Sequence, residues 1–436
     1  MLPDKDDCPC SSGQIQYWLQ KAVQTDFDSA QWEEKFPLNP NQDATTFEYR
    51  AQGDGERSTD LSETYMMIEV GVDKADGTDR EADNEIALSN NTFYTLFQQV
   101  LISFNGVDVT PSNNTYHVKS YLETLLSYGA GAKNQIEMGG WFQDTPGKID
   151  TAAATSLGYV ERKKWIAAKK KACFIAKINL GLTNADQLIP NGVDIRFKFT
   201  KCKDSIILQQ PAANAVVYKT VISKAVLYVR RIKLSPHALV EQAKRFNTLG
   251  PATIHVRDAE VRTYAIPTGM RNHKIENLCE GQLPEQMVIG FVANDAYNGH
   301  KTKRFYNFQP YNISHLQVLR DGIQHPASPF KPSLTAGGNY IRAYHSLYIT
   351  TGKLSNDEAL PFSMSDYIKG YTLFGFNFSP DLSTGELSQP RKSGSMSLEV
   401  NFSADLPEPV NVVVYMTFDR KIKIDKNRTA LPDFSP

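Results

Sequence analysis

The chain has 436 residues, enough for two ordinary domains or one large β domain. Its 47 Lys and Arg nearly balance its 48 Asp and Glu, which excludes a coat that is basic throughout and built to cover nucleic acid. Hydrophobic residues at 41% supply material for one or two cores, and the 22 Phe and 20 Tyr suit strands better than helices.

The first residues, Met1-Leu2-Pro3-Asp4-Lys5-Asp6-Asp7, are no signal peptide, and no apolar run is long enough for a membrane span. A soluble protein made inside the cell is expected. Asn113, Asn312, Asn401 and Asn427 each head an Asn-x-Ser/Thr triplet, which without an export signal reads as chance. After a polar start, Ile15, Tyr17, Trp18, Leu19, Val23 and Phe27 form an amphipathic arm over residues 1–30. That arm either docks on a neighbouring subunit, through Tyr17, Trp18, Leu19 and Phe27, or folds back on its own domain. Five cysteines make no disulfide framework. Cys8 and Cys10 lack a second ligand pair for zinc, while Cys173, Cys202 and Cys279 sit in strand-like contexts that predict small buried thiols.

Further along, Tyr65 to Val72 alternates as a strand does. The acidic residues that follow (Asp73, Asp76, Asp79, Glu81, Asp83, Glu85) could hold calcium, but their spacing is not that of a calcium loop and a solvated loop is the plainer reading. Asn105-Gly106 between apolar runs predicts a hairpin, because both residues tolerate positive φ. Val118, Tyr121, Leu122, Leu125 and Leu126 recur at helical spacing within Tyr116 to Tyr128, and Gly129 ends that helix. Residues 130–165 carry no clear period. Arg162, Lys163, Lys164, Lys169, Lys170 and Lys171 then put six cations into ten residues. Such a run either touches a phosphate backbone without reading sequence or is simply solvated. Val193 to Phe199, Ser395 to Phe402 and Val410 to Phe418 read as strands, the last buried on both faces; Pro236 to Phe246 reads as a Ser-capped helix, and Asp321-Gly322 as a second hairpin turn.

These features repeat. Hairpin, Pro-containing loop, Tyr-led segment and Gly stop occur in order at 100–129 and again at 316–352, and Phe174 to Leu180 and Val193 to Phe199 match Phe374 to Phe378 and Ser395 to Phe402. Any one such pair is worthless, but several in one order, offset by about 200 residues, predict two copies of one domain. The predicted fold is all-β: two tandem eight-stranded antiparallel jelly rolls with a few short helices in loops. The arm at 1–30 precedes a first roll at 31–212 and a second at 213–436, joined near Gln209 to Ala215.

Chemistry is hard to find. There is no Gly-x-Ser-x-Gly elbow, no phosphate loop ending in Gly-Lys-Ser/Thr and no His-Glu-x-x-His, and the eight histidines are scattered. No enzyme, cofactor or metal is predicted.

The sequence resembles the double jelly-roll major capsid proteins of Polinton/Maverick-type elements and adintovirus-like viruses. The resemblance is carried by Leu96-Phe-Gln-Gln-Val-Leu-Ile-Ser-Phe-Asn-Gly106, Val109 to Tyr116, Lys119 to Gly129, Leu188-Ile-Pro-Asn-Gly-Val-Asp194, Val229-Arg-Arg-Ile-Lys-Leu-Ser-Pro236, Gly370 to Phe376 and Val410 to Tyr415. It covers the chain from about residue 30 onward. It implies a homotrimer of pseudo-hexagonal outline tiling an icosahedral virion capsid, with penton and minor capsid proteins as partners and packaged DNA as a non-specific contact of the basic run. The competing expectation is a jelly-roll carbohydrate-binding, lectin-like module.

Overall fold

The computed structural model of the chain describes residues 24–39, 44–78, 85–354, 358–382 and 390–433. Sixteen of its strands fall into two sets of eight; outside them Ala87–Leu88 pairs with Leu208–Gln209, and Ala430–Asp433 pairs with Val410–Ile424. The first set comprises, in chain order, Phe27–Lys35, Thr46–Ala51, Arg57–Lys74, Phe97–Phe104, Val107–Asp108, Ala172–Lys177, Ile195–Lys201 and Tyr218–Leu234. The second comprises Ala252–Ile266, Asn272–Gln282, Gln286–Ala293, Ile313–Arg320, Ile323–Phe330, Leu373–Asn377, Ser393–Phe402 and Val410–Ile424. Numbered one to eight within its set, each half builds one sheet in the order 1-8-3-6 and a second in the order 2-7-4-5. All the ladders are antiparallel. The protein is a double jelly roll, and the repeat seen in the sequence is a repeat of topology.

The local reasons are those the sequence shows. In Ser393–Phe402 the residues Met396, Leu398, Val400 and Phe402 are buried while the alternate positions stay partly open, as a strand with one face on a core requires. Asn105 and Gly106 both adopt positive φ (49° and 85°), as do Asp321 and Gly322 (49° and 79°), so both turns have the twist of a tight hairpin. The helix between strands five and six is Tyr116–Ser127 in the first roll and Ile341–Thr351 in the second. Helix Pro236–Thr248 links the rolls; the Ser235 side chain caps it by accepting from the Ala238 N–H, and proline stands in its first turn.

Two boundaries differ from expectation. Tyr218–Leu234 lies beyond the expected junction at residue 212, yet it pairs along its length with Arg57–Lys74 in the middle of the first roll's sheet. The junction therefore falls at the linking helix, because a central strand cannot leave its sheet without exposing two ladders. At the other end, Phe27–Lys35 pairs with Tyr218–Leu234, so the first roll begins before residue 31. Tyr17, Trp18 and Leu19 lie outside the described residues.

Candidate functional site

Between the rolls runs a seam of buried aromatic and charged groups. Phe305 and Tyr306 come from the loop after strand three of the second roll, and helix Tyr116–Ser127 of the first roll meets them. Tyr121 stacks on Tyr306, and the His117 ring stands edge-on to Phe305 at 5.0 Å. Arg304 is 1% exposed and donates to Ser89 Oγ at 2.8 Å, to the Leu208 carbonyl at 2.8 Å and to the Ile206 carbonyl at 3.3 Å, all in the other roll. Its own N–H donates to Asp150. A guanidinium suits this place because its fixed fork of donors satisfies several carbonyls at once.

The expected basic run divides at this seam. Arg162 is fully buried: it pairs with Asp144 at 2.7 Å and donates to the Leu88 and Phe142 carbonyls and to Gln209. It cannot be part of a phosphate-facing surface. Helical phase explains the correction, since Arg162 lies on the inner side of Leu157–Trp165 while Lys164 points outward, with Lys169, Lys170 and Lys171 exposed beyond the helix. Burial pushes the Asp144 carboxyl upward and the Arg162 charge beside it opposes that.

A second buried charge cluster closes the other side of the seam. Lys119 and Glu123 of the first roll's helix face Asp258 and Tyr415 of the second roll; Lys119 Nζ lies 3.7 Å from Asp258, and the Tyr415 hydroxyl donates to Glu123 at 3.3 Å. Arg420 pairs with Asp258 at 2.9 Å and with Glu260. Burial raises the Glu123 carboxyl above its usual range, with Lys119 pulling the other way. The outer face of Val410–Ile424 thus covers a neighbour as its inner face covers a core, and this is why its first part, Val410 to Phe418, is enclosed on both sides.

The outward face of the first roll's 1-8-3-6 sheet is aromatic. Tyr65 stacks on Tyr228 at 4.8 Å, Trp32 tilts against Tyr65 at 6.4 Å, and the Arg230 guanidinium lies 5.5 Å from the Trp32 ring. Trp32 is 49% exposed, and Phe27, Phe36 and Leu38 near it are exposed as well. Phe27 is the one residue of the expected docking group that is described, and it opens this edge strand. Cys173, expected inside, is exposed on the same sheet because it occupies the outward phase of Ala172–Lys177; Cys202 and Cys279 are buried.

Among the described residues no group of His, Cys, Asp and Glu could hold a metal ion, and no helix is long and apolar enough to cross a membrane. A cavity of about 410 Å³ borders the seam, but the charges around it answer one another: Lys303 sits 2.9 Å from Asp295 and 2.8 Å from Glu408, which also accepts from Tyr311. Sequence reasoning missed Asp144, Arg304 and Tyr306 altogether. Lys303-Arg304-Phe305-Tyr306 has no period, and the partners of Arg304 there lie about a hundred or more residues away. The aromatic cluster was equally hidden, since Trp32, Tyr65 and Tyr228 meet only across two ladders.

No protein-family model matches the chain. A Caenorhabditis elegans protein described as uncharacterized is 22% identical over 394 residues, covering 87% of this chain and 92% of that protein. Among solved structures, a chain of the Sputnik virophage superposes with a TM-score of 0.63 at 10% identity, covering 99% of this chain and 93% of that one. The PBCV-1 virus capsid model gives 0.59 at 10% identity, over 96% of this chain and all of that one. The mavirus major capsid protein gives 0.50 at 12% identity, over 99% and 96%. At such identities the likeness is one of fold, and it embraces both rolls and the way they are joined.

Proposed function

We propose that this chain is the major capsid subunit of an icosahedral virus-like shell. The observation that carries the reading is that both rolls superpose together, over 99% of the chain, on a chain of a virophage particle. The seam supports it, because a rigid pair of rolls is what a shell tile needs. The exposed aromatic face supports it too, since Trp, Tyr and Arg are the residues that dominate contacts between proteins. A near-neutral subunit also avoids self-repulsion at high local density. The sugar-binding alternative has no comparable support.

In this reading three chains form a pseudo-hexagonal capsomer that joins penton and minor proteins in a virion, and the chain is a relative of the Polinton/Maverick-type and adintovirus-like capsids that its sequence resembles. The exposed Lys164, Lys169, Lys170 and Lys171 are the part of the basic run still open to packaged DNA. Light scattering with negative-stain imaging of the purified protein tests the proposal. The expected result is a particle of three times 48.8 kDa, or sheets and shells. A strict monomer at every concentration would sink it.

A further inference from the structure

Two lysines are buried among the described residues, and the fold holds them differently. Lys353 donates to the Ser127 carbonyl at 2.8 Å, an ordinary hydrogen bond. Lys119, 4% exposed, has no contact that short. Its Nζ meets the Asn179 carbonyl at 3.5 Å, Glu123 Oε1 at 3.6 Å and Asp258 Oδ1 at 3.7 Å, all beyond the usual length. The arginines of the seam are better served: Arg162 pairs with Asp144 at 2.7 Å and Arg420 with Asp258 at 2.9 Å. An ammonium needs three close acceptors, and a buried charge without them is costly to keep.

The two carboxyls beside Lys119 are themselves unlike. Glu123 Oε1 accepts from the Tyr415 hydroxyl, while its Oε2 is buried and accepts from no described residue. Burial pushes this carboxyl upward, against the pull of Lys119, and so favours the form that carries a proton. Asp258 is fixed from behind instead: Arg420 donates to its Oδ2 at 2.9 Å, and the Ala259 N–H donates to its Oδ1 at 3.0 Å. Lys119 and Glu123 come one turn apart from helix Tyr116–Ser127 of the first roll, and Asp258 comes from strand Ala252–Ile266 of the second.

We propose that Lys119 and Asp258 condense into an amide, a covalent link between the two rolls. The Lys119 ammonium passes one proton to Asp258 Oδ1, and the freed amine attacks Cγ, forming the C–N bond. Arg420, already donating to Oδ2, holds the negative charge that gathers on that oxygen in the tetrahedral intermediate. Glu123 then carries a second proton from the nitrogen to Oδ1, and the C–Oδ1 bond breaks. Two of the three ammonium protons leave with Oδ1 as one water, the third stays on the amide nitrogen, and Glu123 is restored.

Folding does the work that a free amine and a free acid lack. It holds the nitrogen on one carboxyl and beside a proton carrier, which supplies the entropic part of the barrier. The product replaces one positive and one negative buried charge with a neutral amide. The link joins residues of the two rolls that are far apart in the chain, so it locks the seam from within. It does not depend on the shell reading, although a shell of locked tiles gains rigidity from it.

The intact mass of the full chain, measured in denaturant, tests the link directly. It is expected one water below the mass of the unlinked chain, and a tryptic digest is expected to hold a branched peptide joining the Lys119 segment to the Asp258 segment. Lys119→Arg keeps the charge but forms no amide, so it is expected at the unlinked mass with the branch gone. Glu123→Gln still accepts from Tyr415 but carries no proton. As newly translated chains age, it should lose water about a hundredfold more slowly than the wild type. Circular dichroism checks that both variants fold. A folded wild type at the unlinked mass overturns the proposal whatever the variants do. So does a lost water that maps to any other pair, Lys119 with Glu123 included. Glu123→Gln matching the wild-type rate overturns the role given to Glu123.

Discussion

Tyr121 of the first roll and Tyr306 of the second lie face to face, their ring centroids 4.5 Å apart and their planes 17° apart. Tyr306 also accepts a hydrogen bond from the Asn90 N–H at 3.2 Å, so one side chain ties two segments of the first roll to the second. Both rings are fully buried. Tyr306→Ala is expected to destabilise the protein by about 3–5 kcal/mol through the cavity it leaves. Tyr306→Phe, which keeps the stack and loses only the hydroxyl that serves Asn90 and the buried Asp144 carboxyl, should cost about 1–3 kcal/mol. Urea unfolding of the two variants beside the wild type separates packing from hydrogen bonding.

Arg162 and Asp144 make a different kind of claim. A buried ion pair adds little over an apolar pair, but breaking one partner strands the other charge. Arg162→Met leaves the Asp144 carboxylate in a dry site together with the Leu88 and Phe142 carbonyls, and a loss of about 3–5 kcal/mol is expected. Adding Asp144→Asn to Arg162→Met should recover part of that loss. Melting temperatures of the single and double variants measure the coupling, and strict additivity would contradict it.

Much of this fold was legible because jelly-roll strands write their phase into the chain. Asn105-Gly106 and Asp321-Gly322 mark equivalent hairpins, and the helical spacing of Val118 to Leu126 marks a helix that is present. The length of Tyr218–Leu234 and its allegiance were not legible: Pro211-Ala212-Ala213 reads as a linker, yet it is a loop inside the first roll. Arg162 shows the other limit. Three consecutive basic residues look alike on paper, and only the helix phase against Asp144 decides that the first of them points inward. The seam itself was invisible, because its contacts join residues separated by about 100 to 300 positions and owe nothing to local pattern.

The position of the junction gives its own prediction. If Tyr218–Leu234 belongs to the first roll, a cut in the exposed stretch near Ala212 and Ala213 severs the chain but not the sheet, whose strands on either side stay paired with Arg57–Lys74 and Phe27–Lys35. A protease site placed between Ala212 and Ala213 should therefore yield two fragments that elute together under native conditions. They should part only in denaturant, with Lys119→Arg present to remove the link to Asp258. Fragments that separate without denaturant would contradict both this pairing and the seam between the rolls.

The seam also fixes a pH dependence. Burial holds His117 neutral, with its pKa pushed down to about 4 from an ordinary 6.5, because the ring is enclosed beside Phe305. Between those two values the unfolded chain binds a proton that the folded one refuses, so stability falls as pH drops from about 6.5 toward 4 and is fully present above that window. The depression corresponds to about 3 kcal/mol at most. Glu123 and Asp144 act in the opposite sense: burial raises their carboxyls, so protonation on acidification relieves the folded state. Wild type alone would therefore blur the histidine contribution. His117→Phe removes only that contribution and keeps an aromatic ring against Phe305. The gap in unfolding free energy between variant and wild type should shift in favour of the variant from pH 7 to pH 5, as read from urea midpoints at the two values. A gap that is constant with pH would mean that His117 takes up its proton in the folded protein as readily as in the unfolded one.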